Sequence, residues 1–185
     1  MVRFLAKLLG LVIGVSLVAG IASALAAVGF KKKAPPLPDT AADEIDLVAV
    51  MDGAQLASTA ASFRGGRVIC WYAGVDLDLR EATFDPAGAR LEVRTVFGGT
   101  RVAVAPGVPV RVTGPTVFGG ALNTTGAAEP TPDAPGLEIT GFTLFGGLQV
   151  VAAKRGEAIP TWVPEPEPAL DRATEPGPEP TPEPA

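Results

Sequence analysis

The sequence predicts an all-β protein: a right-handed, three-sided β-solenoid of short coils, preceded by one transmembrane α-helix and followed by a disordered tail. Three observations carry that expectation. The pentapeptide Thr-(Val/Leu)-Phe-Gly-Gly occurs three times, at Thr95–Gly99, Thr116–Gly120 and Thr143–Gly147, at spacings of 21 and 27 residues. From Ile45 to Arg155, short runs rich in Val, Ile, Leu and Thr alternate with Gly/Pro turns. Ahead of them, Leu8–Phe30 holds 23 residues without a charge.

Residues 1–30 are read as a membrane anchor with its helix over 8–30. As a helix this run spans about 35 Å, against roughly 30 Å of bilayer hydrocarbon. A cleaved signal peptide is the competing reading, because Ala24-Leu25-Ala26 resembles a small-x-small cleavage site. Against cleavage, the run exceeds the usual signal core, and Lys31–Lys33 come directly after it. A lysine cluster resists translocation, which favours the cytoplasmic side for the chain beyond Lys33. Residues 31–44 form a basic, proline-containing linker.

Residues 45–155 form the β domain. Strands are expected over Ile45–Met51, Arg67–Tyr72, Val75–Leu79, Leu91–Phe97, Thr100–Val104, Val108–Val112, Leu137–Phe142 and Leu148–Val151. The unit Gly98–Phe118 reads strand, Pro-Gly turn, strand, Gly-Pro turn, short strand, and then returns to Gly-Gly. That is one coil of a stacked repeat. "SFRGG" (Ser62–Gly66) and "WYAG" (Trp71–Gly74) read as degenerate copies, giving four or five coils. The stretch Asn123–Gly136 lengthens one coil and is expected to protrude as a loop. Within each pentapeptide the Phe is expected to point inward, so that Phe97, Phe118 and Phe145 stack as an internal ladder. Gly98–Gly99, Gly119–Gly120 and Gly146–Gly147 are expected to turn the corner at positive φ. A β-sandwich with chance glycine pairs is the alternative. Residues 156–185 are Pro/Glu-rich and cannot bury enough apolar surface to fold, so a disordered tail is expected.

Chemistry is scarce. The chain has no histidine, which removes the commonest general base and transition-metal ligand. Its one cysteine, Cys70, lies among Val68, Ile69 and Trp71 and reads as a buried thiol. Asp76 and Asp78 alternate along a strand. Two carboxylates cannot fill a calcium cage, and Arg80 and Glu81 beside them suggest a solvated, charge-paired face. No metal, no cofactor and no catalytic set is expected, so the chain is not read as an enzyme. The charge of −5 is segregated. Arg3, Lys7 and Lys31–Lys33 stand in an N-terminal stretch without acids, and the tail is acidic apart from Arg172. The near-neutral β domain offers no track for phosphates, so nucleic acid is not an expected partner.

The sequence "GVDLDLREATF" (Gly74–Phe84), followed by "VFGGTRVAVAPGVPVRV", a second "VFGG" and "LFGGLQVV", resembles the C-terminal domain of LiaF-like proteins, the cell-wall-active-antibiotic response family. The resemblance covers Ala61–Lys154. It implies a domain joined to membrane, on the cytoplasmic side, with a membrane protein such as a sensor kinase as partner. This chain departs from the family's multi-helix members by its single apolar segment and acidic tail. The expected function is a membrane-tethered, non-enzymatic interaction or regulatory domain in the cell-envelope stress response, with the lipid bilayer contacted through residues 8–30. The alternative is a membrane-bound structural solenoid that polymerises end to end as a homo-oligomer.

Overall fold

Glu44, Asp46 and Arg67 face water while Ile45, Leu47, Ala49, Val68 and Cys70 are buried, and this alternation starts the β-sheet. A computed structural model describes residues 20–22, 25–29, 31–32 and 34–159. Its nine strands are β1 (Glu44–Val50), β2 (Gly53–Ala57), β3 (Gly65–Trp71), β4 (Gly74–Asp78), β5 (Ala89–Val104), β6 (Val110–Thr113), β7 (Thr116–Val117), β8 (Gly120–Asn123) and β9 (Leu137–Ala152). All their pairings are parallel and the sheet is open. The protein is all-β from Glu44 to Ala152, and residues 20–22, 25–29 and Lys31 ahead of it are helical.

Each repeat contributes one stretch to each of two sides, joined by a bend. On the first side β1 pairs with β3, and β3 with the first half of β5. On the second side β2 pairs with β4, and β4 with the second half of β5. The remaining part of each repeat is irregular, with one bridge between Phe63 and Phe84. The core lies between the sides, and its layers compensate for one another. Where β9 places Leu148 opposite Thr100 of β5, it places Gly141 opposite Val93, and a Cβ on Gly141 would come within 3.1 Å of Leu148. Thr95 and Thr100 face each other across the bend and share a 2.8 Å hydrogen bond, which satisfies both buried hydroxyls.

The repeats do not stack in chain order. β9 pairs with β5 on one edge and with β6, β7 and β8 on the other, so the last repeat lies between the third and the fourth. Two backbone bonds mark the insertion: Ala89 N–H to Gly136 C=O at 2.8 Å, and Leu137 N–H to Pro109 C=O at 2.9 Å.

The stretch Asn123–Gly136, expected to protrude, instead leaves β8 at Asn123 and folds back over the exposed edge of β6. Val110 donates its N–H to Ala128 C=O at 3.2 Å and accepts the Asn123 side-chain amide at 3.0 Å. Arg111 meets Glu129 at 3.1 Å, and Pro130 is buried. An edge strand needs partners for its outward N–H and C=O groups, and this segment supplies them at Val110. "SFRGG" is also corrected. Gly65 and Gly66 open β3 opposite Arg90 and Leu91, at a different corner from the pentapeptides. The other expected copy, Trp71–Gly74, does align with them through Tyr72–Gly74, and Met51–Gly53 is a further copy.

The charge-paired face is present. Asp76 meets Arg101 at 2.8 Å, and Asp78 meets Arg80 through Nε at 2.9 Å and Nη2 at 2.7 Å. Arg80 also donates to the carbonyls of Lys154 and Glu157, at 2.8 and 2.6 Å, and so fastens the end of the last repeat to the second. Burial pushes the Asp78 carboxyl upward, but the Arg80 hydrogen bonds outweigh it and hold the group below its ordinary value. A carboxylate lowered on folding stabilises the fold above its unfolded pKa of about 3.9, and that contribution is lost as pH falls through the folded value. Asp78→Asn should therefore lower Tm at pH 7 and flatten its acid dependence below about pH 4. Melts of the two chains across that range check this, and parallel acid limbs would refute it.

Candidate functional site

The three pentapeptides meet, but their phenylalanines point out of the core. Phe97, Phe145 and Phe118 are 38%, 45% and 75% exposed. This reverses the inward orientation expected from sequence. The inward position of the motif is its Thr: Thr95 and Thr143 are buried beneath the bend, in register with Cys70. The rings stack outside as a ladder. Tyr72 and Phe97 lie 4.8 Å apart, Phe97 and Phe145 4.9 Å, and Phe145 and Phe118 4.8 Å, with planes within 7° of parallel. The spacing is that of neighbouring strands, so the sheet itself sets the stack. Met51 precedes Tyr72 at the same bend position, and each of these five side chains stands two residues before a glycine: Gly53, Gly74, Gly99, Gly147 and Gly120.

Positive φ belongs to the rung and not to the glycine pair. Met51, Tyr72, Phe97, Phe118 and Phe145 have φ of 54°, 50°, 51°, 51° and 51°. Left-handed backbone costs a residue with a Cβ roughly 1–2 kcal/mol. Five such residues in one line are a feature that the surrounding stack holds in place. The glycine after the rung serves another purpose. A Cβ on Gly98 would lie 2.1 Å from the Ala73 carbonyl oxygen, on Gly146 2.0 Å from that of Gly98, and on Gly119 1.9 Å from that of Gly146. Close approach between layers, and not backbone conformation, demands glycine there. The second glycine is different: Gly99 and Gly120 have open space at the Cβ position.

The ladder borders a wider apolar strip. The neighbouring row begins at Val50, which is buried, and continues outward through Trp71, Val96, Leu144 and Val117, and the next is Val48, Ile69, Arg94, Phe142 and Pro115. Arg94 is the one charged residue among these rows and the ladder. It turns to Glu92, 2.7 Å away, in the charged row beyond, where Arg67 also pairs with Asp46. On the opposite bank run Gln55, Asp76 and Arg101, with Gln149 in register but buried. Between Trp71, Val96, Phe142 and Pro115 the strip hollows into an open trough of about 770 Å³.

Among the described residues no chemical centre competes with this surface. Among the described residues no three His, Cys, Asp or Glu side chains cluster for a metal ion. Cys70 is buried, burial pushes its thiol up, and it donates to the Ala73 carbonyl at 3.0 Å. A raised, enclosed thiol is a poor nucleophile. Sequence reading took three of the five rungs as the motif phenylalanines and placed a fourth, Tyr72, in the degenerate copy Trp71–Gly74. Met51 lay outside every copy, and the fixed offset to the following glycine was the signal that could have found it.

No family model matches the chain, and neither a curated protein nor a solved structure does so. Among the described residues, no helix is long and apolar enough to cross a membrane. Most of the anchor expected over residues 8–30, and nearly all of the tail expected over 156–185, lie outside the described residues.

Proposed function

We propose that this protein is a membrane-tethered, non-enzymatic interaction domain. In this reading the parallel repeats wind as a right-handed, three-sided β-solenoid-like stack, held at the membrane by residues 8–30 on its cytoplasmic side. The observation that carries the proposal is the exposed aromatic ladder with its uncharged flank. Contiguous apolar surface on this scale marks a binding surface, and five left-handed residues are held in line to present it. The uncharged run Leu8–Phe30 supports the tether. The resemblance to LiaF-like domains is consistent with a regulatory role toward a membrane sensor protein in the envelope stress response. Flotation of the full chain with phosphatidylcholine vesicles tests the tether: the chain should rise with the vesicles and resist carbonate extraction. Chain left at the bottom of the gradient would refute it.

One observation favours a second reading. β6, β7 and β8 pair on one edge alone, with β9, so this end of the stack is open beyond the cover at Val110. End-to-end polymerisation would use that edge. Sedimentation of the full chain in detergent separates the readings, since a polymer pellets and a discrete domain does not.

A further inference from the structure

The large exposed apolar side chains of the described residues fall in two places. Ile21, Leu25, Val28 and Leu37 belong to the N-terminal segment, and Met51, Phe97, Val117, Phe118, Phe142 and Phe145 belong to the strip. The two places adjoin. Lys31, at the end of the N-terminal helical stretch, pairs at 3.2 Å with Asp52, the residue next to the first rung, Met51. Ala27 in the same stretch is fully buried. The ladder therefore begins where the apolar segment meets the domain and runs away from it along the stack.

We infer that the aromatic ladder is a second membrane contact, a keel that lies in the interfacial layer of the bilayer so that the stack rests along the membrane surface. The inference rests on the tether proposed above and names what the strip binds. Shape supports it, because the rungs stand on the outside of a bend and form a ridge, which suits a planar, yielding surface. Ring stacking supports it too. With planes within 7° and centroids 4.8–4.9 Å apart, the inner rungs turn their faces to one another and present edges outward. Ring faces are thus closed to a stacked ligand along most of the ladder, while the apolar edges remain for acyl chains. Charge supports it as well: the ladder and its adjoining row hold no ionised group, and the ion pairs lie on both banks, at headgroup depth when the ridge is immersed. Trp and Tyr side chains favour that depth, and the strip carries Trp71 and Tyr72. A ridge of this kind adds apolar contact to an existing anchor, and two signals hold a protein at a membrane where one holds it weakly.

The test uses the full chain in phosphatidylcholine vesicles, spin-labelled at Phe118→Cys and, separately, at Phe142→Cys, with Gln55→Cys on the opposite bank as reference. The parent chain, whose one thiol is the buried Cys70, sets the labelling background. Collision with oxygen, which concentrates in lipid, is compared with collision with a water-soluble nickel chelate. The oxygen-to-nickel ratio at 118 and 142 should exceed that at 55 severalfold. Equal ratios in chain that floats would overturn the keel and leave the tether standing. A label shielded from both agents would also overturn it and assign the ridge to a protein face. Chain that fails to float would overturn both readings.

Discussion

Gly146→Ala is expected to cost about 4 kcal/mol or more, the range of outright steric conflict. Gly146 lies in the layer enclosed between the third and fourth repeats, and its added Cβ would sit 2.0 Å from the Gly98 carbonyl oxygen. That atom is backbone, fixed by the strands around it, and cannot swing aside as a side chain would. Relief would require the layers to part, and adjacent strands held near 4.8 Å lose their hydrogen bonds when they do. Gly120→Ala is the matched control, because its Cβ position is open and its change should stay within about 0.5 kcal/mol. Urea unfolding of the full chain in detergent micelles measures both. Equal midpoints for Gly146→Ala and the parent would show that the layers do not approach as described.

The second large effect is expected at Phe63 and not in the pentapeptides. Phe63 is fully buried, with its ring edge-on to Phe84 at a centroid distance of 5.9 Å. Truncation to alanine leaves a cavity in the closed core and should cost about 3–5 kcal/mol. That is a large share of the 5–15 kcal/mol typical of a domain. Phe118→Ala removes a ring that is 75% exposed and stacked on one side alone. Its loss should be about 1 kcal/mol or less, near the worth of one aromatic pair. The order of the two midpoints checks the outward orientation of the ladder, and a larger loss at Phe118 would refute it.

Most strands were legible in the sequence because they are short runs rich in Val, Ile, Leu and Thr bounded by Gly and Pro. Arg67–Tyr72 and Val75–Leu79 anticipated Gly65–Trp71 and Gly74–Asp78 to within two residues. Gly53–Ala57 and Gly120–Asn123 were not legible. "GAQLA" and "GALN" lack β-branched side chains, and they are strands because β4 and β9 dictate their register. The direction of the phenylalanines was hidden for a different reason. A large apolar side chain is assigned to the core by default, yet apolar side chains are also common on surfaces, and these rings find partners in each other. The need for Gly98, Gly119 and Gly146 is set by carbonyls of other repeats and so leaves no local trace. Stack order was hidden by the repeats themselves, since near-identical pentapeptides pair equally well in either arrangement.

The inserted last repeat changes how this chain must be made. A ribosome delivers Val110–Asn123 before Leu137–Ala152, yet the earlier segment has no strand to join until the later one is complete. An ordinary repeat array can grow one neighbour at a time as it emerges. Here vectorial growth stops at the third repeat, and the fourth waits, unpaired, for its mate. The last two repeats therefore close as a single cooperative unit after translation has passed residue 152. A nascent chain arrested before that point carries three folded repeats and one exposed strand segment, the species most in need of a chaperone.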